Sequence, residues 1–221
     1  MTPQTTSIQA VLFDYGMVLS GPPAPKAWQR IRSISGLSED ALHAAYWTHR
    51  QAYDRGTFDA VAYWQAVAAH ANFPSFTPDQ LSSLIAADID LWGETNQPML
   101  DWAQALQKAG VRTGILSNIG DAMTEGILAR FDWISGFDHC TWSYELKLAK
   151  PEAEIYRCAA EGLRTPPANI LFIDDKAENI EAARGVGLAA IQYTDHKSFE
   201  REMEERGFGH LLRPSSVAAG S

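Results

Sequence analysis

VLFDYGMVLSG, residues 11–21, runs apolar for three residues, stops at a lone carboxylate, Asp14, and places a glycine, Gly16, two positions on. A short β-branched apolar run of this kind reads as a strand buried on both faces, as in a parallel sheet. Three more such runs stand at Val111–Leu116, Ile170–Ile173 and Leu188–Tyr193, with a weaker fifth at Phe137–Trp142; the first extends back to Ile8. Helical patterns separate the later runs. Residues 98–109 set Met99, Trp102, Ala103 and Leu106 on one face and stop at Gly110, a C-terminal cap. Residues 151–162 open with a proline and two glutamates, which suits a helix N-terminus, and carry the stripe Ile155, Cys158, Ala159 and Leu163. Residues 177–184 form a third, ended by Gly185 and Gly187. Strand and helix in alternation predict an α/β fold, a parallel sheet with helices on both faces.

Residues 21–93 break the alternation. The segment opens at GPPAP, shows no convincing strand, and is rich in Ala, Trp, His and Tyr. It reads as a small all-helical domain inserted after the first strand, leaving 1–20 and 94–221 as the core. Its tryptophans, Trp28, Trp47 and Trp64, fit either a core or a dimer surface. A chain of 221 residues buries roughly 70% of its unfolded surface and needs no covalent staples. The net charge of −9 argues against a nucleic-acid or anionic-membrane partner. Cys140 and Cys158 lack metal-ligand spacing and read as reduced thiols of a cytoplasmic protein. MTPQTTSIQA has no basic region and no long apolar core, so no leader is expected there, and the polar tail PSSVAAGS is expected to fray. No run approaches the ~18 apolar residues of a membrane span.

Ligands of a parallel α/β sheet bind beyond the carboxyl ends of its strands. Asp14 follows the first run, Ser117 and Asn118 follow Leu116, Asp174 and Asp175 follow Ile173, and Lys150 precedes Pro151. Singly, each has a plain alternative: a turn or cap for Asp14, loop chemistry for Ser117–Asn118, a solvated side chain for Lys150. Two adjacent carboxylates at the end of ILFI repel each other unless a cation is near. Together the set suits phosphoryl transfer through an aspartate. The carboxylate attacks phosphorus to form an acyl phosphate. Mg2+, held by carboxylates and phosphate oxygens, offsets the repulsion between nucleophile and substrate. Ser, Asn and Lys hold the remaining oxygens.

VLFDYGMVL, ILSN, LAKPEAEIY and FIDDKAENIEAARGVGL, in that order and spacing, resemble the haloacid dehalogenase superfamily of hydrolases. ARGVGLAAI and YDRGTFDAVAYW are similar to its branch of sugar-phosphate phosphatases and epoxide hydrolase phosphatase domains. The resemblance implies a Rossmann-like core with a helical cap, and a magnesium-dependent hydrolase of small phosphorylated metabolites, working as a monomer or homodimer. It implies that Asp14 is the nucleophile and a metal ligand, that Gly16 gives its carbonyl to the metal, and that Asp175 is a direct ligand with Asp174 close by. Ser117 and Asn118 would bind the transferring group, Lys150 would steady nucleophile and phosphate, and Asn179 would support the loop unless it is an ordinary helix-surface residue. Position 16 departs from the pattern: the resemblance implies that phosphatases of the family usually carry a second aspartate there as acid and base, though some of the sugar-phosphatase branch have glycine. Loss of general acid catalysis is worth about 10²–10⁴-fold. Slow turnover, a demand for good leaving groups, or a substitute donor is therefore expected, with His43, His49, Arg50 and Tyr53 as candidates beside their structural readings. A 2-haloacid dehalogenase, whose leaving halide needs no proton, is the alternative, and a phosphate-binding regulatory protein is a further one.

Overall fold

The computed structural model describes residues 7–214. The expectations for a leader and a frayed tail fall on residues 1–6 and 215–221, outside the described residues. The chain begins with β1 (Ala10–Phe13) and a wide turn over Tyr15–Leu19. Four helices follow: α1 (Pro25–Ser35), α2 (Glu39–Asp54), α3 (Ala60–His70) and α4 (Pro78–Leu91). Then come α5 (Gln97–Lys108), β2 (Arg112–Ser117), α6 (Asp121–Arg130), β3 (His139–Trp142), α7 (Ser143–Leu146) and α8 (Ala153–Gly162). The chain continues through β4 (Ile170–Asp174), α9 (Ala177–Gly185), β5 (Ala189–Gln192), α10 (His196–Glu205) and α11 (Gly209–Leu212).

All five strands are parallel, in the order β3-β2-β1-β4-β5. Alternation along each strand divides the core. Val11, Phe13, Ile115, Leu171, Ile173 and Ile191 face one cluster, which includes α5, α10 and the helical insertion. Ala10, Leu12, Leu116, Ile170, Phe172 and Ala190 face the other, built with α8 and α9. The sheet is thus apolar on both faces, which is why its strands read as continuous hydrophobic runs. Phe13 lies level with Ile115 of β2 and Ile173 of β4, so β1 ends in the middle of the sheet with a strand end on either side.

The expected elements form with shifted ends. Ser117 and Asp174 are the last residues of their strands rather than the first beyond them. The weak fifth run is the edge strand β3. Pro151 does not open α8; the Lys150–Pro151 peptide is cis and the helix starts at Ala153. Tyr156 and Ala160 join Ile155 and Ala159 in the core, whereas Cys158 is only half-buried. Gly110 follows α5 with φ +78°, a left-handed conformation that favours glycine.

Three of the four insertion helices start at a side-chain cap, and α1 starts at Pro25. Ser38 and Asp59 accept from the backbone three residues on, and Thr77 and Gln80 cap reciprocally. Trp64 is buried and Trp28 half-buried; of the three tryptophans only Trp47 is exposed. The chain enters and leaves the insertion side by side: Gly21 N donates to Glu94 O (2.8 Å), Ala24 N to Leu91 O (2.8 Å) and Asn96 N to Leu19 O (2.9 Å).

Candidate active site

The level strand ends bring the predicted residues onto one edge. Lys150 Nζ lies 2.9 Å from Asp14 Oδ1 and 2.7 Å from Asp174 Oδ2, fully enclosed rather than solvated. Asp14 Oδ1 also accepts from Tyr15 N (2.7 Å), which fixes the carboxylate at the strand end. Asp174 accepts from Lys176 N (2.8 Å) and, on both oxygens, from Asn179 Nδ2 (2.9 and 3.0 Å). Asn179 is therefore a buried support, and the reading of it as an ordinary surface residue does not hold. Asn118 takes a different place from the one expected. Its Oδ1 accepts from Lys150 N (2.8 Å) and its Nδ2 donates to Lys150 O (2.9 Å), so its amide clamps the lysine's backbone. Ser117 is buried at the end of β2.

Asp14, Asp174 and Asp175 can each offer an oxygen such that the three lie within 4.8 Å of one another. One ammonium faces three carboxylates. Burial, only partly countered by Lys150, pushes the Asp14 carboxyl up to about 7. Burial and the Asp174 charge also raise Asp175. Burial would raise Asp174 too, but Lys150 and the donated hydrogen bonds hold it below the usual carboxylate range. Lys150 loses by burial and gains more from Asp14 and Asp174, so it stays charged. Asp174 is thus committed to Lys150 and Asn179, while the half-buried Asp175 side chain makes no side-chain hydrogen bond among those described. This surplus of negative charge on hard oxygens suits a divalent cation, which Asp14, Asp175 and the Gly16 carbonyl would hold. A Cβ built on Gly16 meets nothing within 4 Å, so this position borders open space.

The C-terminal end of α2 closes over this edge. A Cβ on Gly120 would come within 2.2 Å of the Tyr53 ring, so only glycine permits this approach. Ser143 Oγ donates to Asp54 O and accepts from Ile119 N (2.8 Å). Arg55 forms a two-pronged ion pair with Glu152, and Lys147 Nζ donates to Gly56 O (2.5 Å). Of the four candidate donors in the insertion, His43 packs against Trp28 and Trp47, and His49 against Phe58 and His70. Tyr53 is stacked on Tyr63, and Arg50 is buried in ion pairs with Asp54 and Asp88. Asp54 stands beside Tyr53 in the YDRG stretch and is held by Arg50.

A family model described as haloacid dehalogenase-like hydrolase matches residues 8–187. Bifunctional epoxide hydrolase 2 of Mus musculus is 27% identical over 90% of this chain, which spans 39% of the mouse protein's length. (S)-2-haloacid dehalogenase 1 of Pseudomonas sp. (strain CBS-3) is 26% identical over 84% of each chain. Among solved structures, a haloacid dehalogenase family enzyme of Bacteroides thetaiotaomicron with bound magnesium and inorganic phosphate has a TM-score of 0.70 at 18% identity, covering 85% of this chain and 95% of its own. The parallel sheet, the strand-end carboxylates around a buried lysine and the matched family model together place this chain in the haloacid dehalogenase-like hydrolase family.

Proposed function

We propose that the protein is a magnesium-dependent hydrolase of small phosphomonoesters, sugar phosphates among them, acting through an aspartyl phosphate. The observation that carries this reading is the trio Asp14, Asp174 and Asp175 gathered within 4.8 Å around one lysine. A divalent cation there offsets the repulsion between an anionic nucleophile and a phosphate. The Bacteroides enzyme, solved with magnesium and inorganic phosphate, supports the same assignment by likeness of fold.

Asp14 attacks phosphorus, the ester P–O bond breaks, and its electron pair leaves on the alcohol oxygen. Lys150, held between Asp14 and Asp174, favours the ionised nucleophile against its burial and meets charge on the phosphoryl oxygens. Asn118 positions Lys150, and the Ser117 hydroxyl is the donor on the β2 side. Water then cleaves the acyl phosphate.

Gly16 favours a second reading, a 2-haloacid dehalogenase, because halide leaves without a proton. The carboxylate trio speaks against it, since a halide offers nothing for a hard cation site to hold. The test is phosphate release from p-nitrophenyl phosphate and from glycerol 2-phosphate, with magnesium or chelator, beside halide release from 2-chloropropionate. Magnesium-dependent phosphate release that falls roughly 10⁴-fold or more in Asp14→Asn is expected. Halide release without phosphate release would install the dehalogenase.

A further inference from the structure

We propose that Arg55 and Glu152 are positioning residues for Lys150, through which the insertion holds the turn that delivers the ammonium to Asp14; this rests on the phosphomonoesterase reading and extends it. Three consecutive residues at the end of α2 bind one short stretch of the core. Asp54 O accepts from Ser143 Oγ, Arg55 pairs with both carboxylate oxygens of Glu152, and Gly56 O accepts from Lys147 Nζ. The stretch from 143 to 152 that holds these partners also holds Lys150. The approach is close. A Cβ on Gly56 would lie 2.5 Å from Tyr144 O and 2.6 Å from Lys147 Nζ, and φ there is +73°, so the contact requires glycine.

The link to the lysine runs through one oxygen. Glu152 Oε1, which meets Arg55, also accepts from Ala149 N (3.1 Å), and Glu152 N donates back to Ala149 O (2.8 Å). Residues 149–152 are thus a turn closed on itself, with Lys150 inside it. Asn118 grips the Lys150 backbone from the β2 side (2.8 and 2.9 Å), and Glu152 grips the turn from the insertion side. From that backbone the ammonium reaches Asp14 at 2.9 Å and Asp174 at 2.7 Å. A lone half-buried carboxylate can turn to water and release Ala149 N. The planar Arg55 fork fixes both oxygens at once, and so fixes which one faces the turn.

A second ion pair between core and insertion supplies the contrast. Arg130 of α6 meets Asp90 of α4, and these side chains are 38% exposed, as are those of Arg55 and Glu152. Among the described hydrogen bonds, those of the Arg130 and Asp90 side chains do not reach residues 143–152. Two pairs of equal exposure therefore fasten the insertion, and of these two the Arg55 pair runs on to the lysine.

The experiment uses the full chain as wild type, Arg55→Ala, Glu152→Gln, Arg55→Ala/Glu152→Gln, Glu152→Ala and Arg130→Ala. It measures amide hydrogen exchange at Ala149 and Lys150, and kcat with magnesium on p-nitrophenyl phosphate and glycerol 2-phosphate. An ion pair this exposed shifts an equilibrium by about fivefold at most. Arg55→Ala and Glu152→Gln are each expected to speed exchange at Ala149 and to lower kcat by about 2- to 5-fold. The factor is the same for both esters, because Lys150 acts on Asp14 and on the phosphoryl group that every substrate shares. The double variant loses no more than either single one, since both act through one pair. Glu152→Ala also takes the acceptor from Ala149 N and lowers kcat by roughly tenfold. Arg130→Ala changes neither readout. Unchanged exchange at Ala149, additive losses, or an equal loss in Arg130→Ala would overturn the proposal. Losses that differ between the esters would overturn it too, by showing that Arg55 meets the leaving group instead. If wild type released phosphate from neither ester, the phosphomonoesterase reading would fail, while exchange at Ala149 would still decide whether the pair holds the turn.

Discussion

Two buried clusters of the same make-up face different fates in this molecule. At the sheet edge, Lys150 sits between Asp14 and Asp174. In the insertion, Arg50 sits between Asp54 and Asp88. The insertion cluster is closed by aromatic surface: Arg50 lies 5.3 Å from the Tyr46 ring centre and 5.4 Å from that of Tyr53. Tyr46 OH both accepts from Arg50 (2.6 Å) and donates to Asp88 Oδ1 (2.7 Å). It sets one guanidinium against two carboxylates. The sheet cluster adds Asp175, leaves negative charge in excess, and opens toward solvent. The difference teaches that burial of an ion pair is not by itself a mark of function; the mark is charge left unmatched where a ligand can reach it.

That contrast can be broken most severely by removing each cation. Lys150→Met and Arg50→Met each strand two buried carboxylates, at an expected cost of about 3–5 kcal/mol in urea unfolding. Magnesium, binding the folded state alone, should raise the stability of Lys150→Met by more than it raises wild type, and that of Arg50→Met by no more than the wild-type amount. Equal gains in both would erase the distinction. A smaller effect is expected where the two regions meet. Gly120→Ala drives a methyl into the Tyr53 ring and should cost about 1–3 kcal/mol, with loss of activity exceeding loss of stability because the end of α2 is displaced. Least of all, Arg55→Ala removes an ion pair whose side chains are 38% exposed, and should change stability by at most about 1 kcal/mol. A larger loss would show that this pair, rather than the Tyr53 contact, seats the insertion on the core.

The sheet was legible because its chemistry and its folding signal coincide in the sequence. Asp14, Ser117 and Asp174 each end an apolar run, and a parallel sheet must bring such ends together. The insertion was legible only as helical. Asp54 and Arg50 lie one helical turn apart, but Asp88 comes from another helix and Ser143 from the core, and no local pattern announces either contact. Asn118 was read as a phosphate ligand for a similar reason. The sequence places it at the right strand end, yet whether its amide faces substrate or the Lys150 backbone is settled by a loop 32 residues away.

The paired segments where the insertion begins and ends have a consequence for how such a chain can vary. Because Gly21 and Glu94 are hydrogen-bonded neighbours, the sheet experiences the whole excursion between them as a closed loop fastened at its base. Chain entropy penalises loop length weakly, about 0.6 kcal/mol for each doubling. Lengthening, shortening or exchanging the helices would therefore leave strand register nearly untouched while replacing the end of α2 that packs on the loop after β2. The insertion and the sheet are in this way separable inheritances, joined along the chain at a neck a few residues wide.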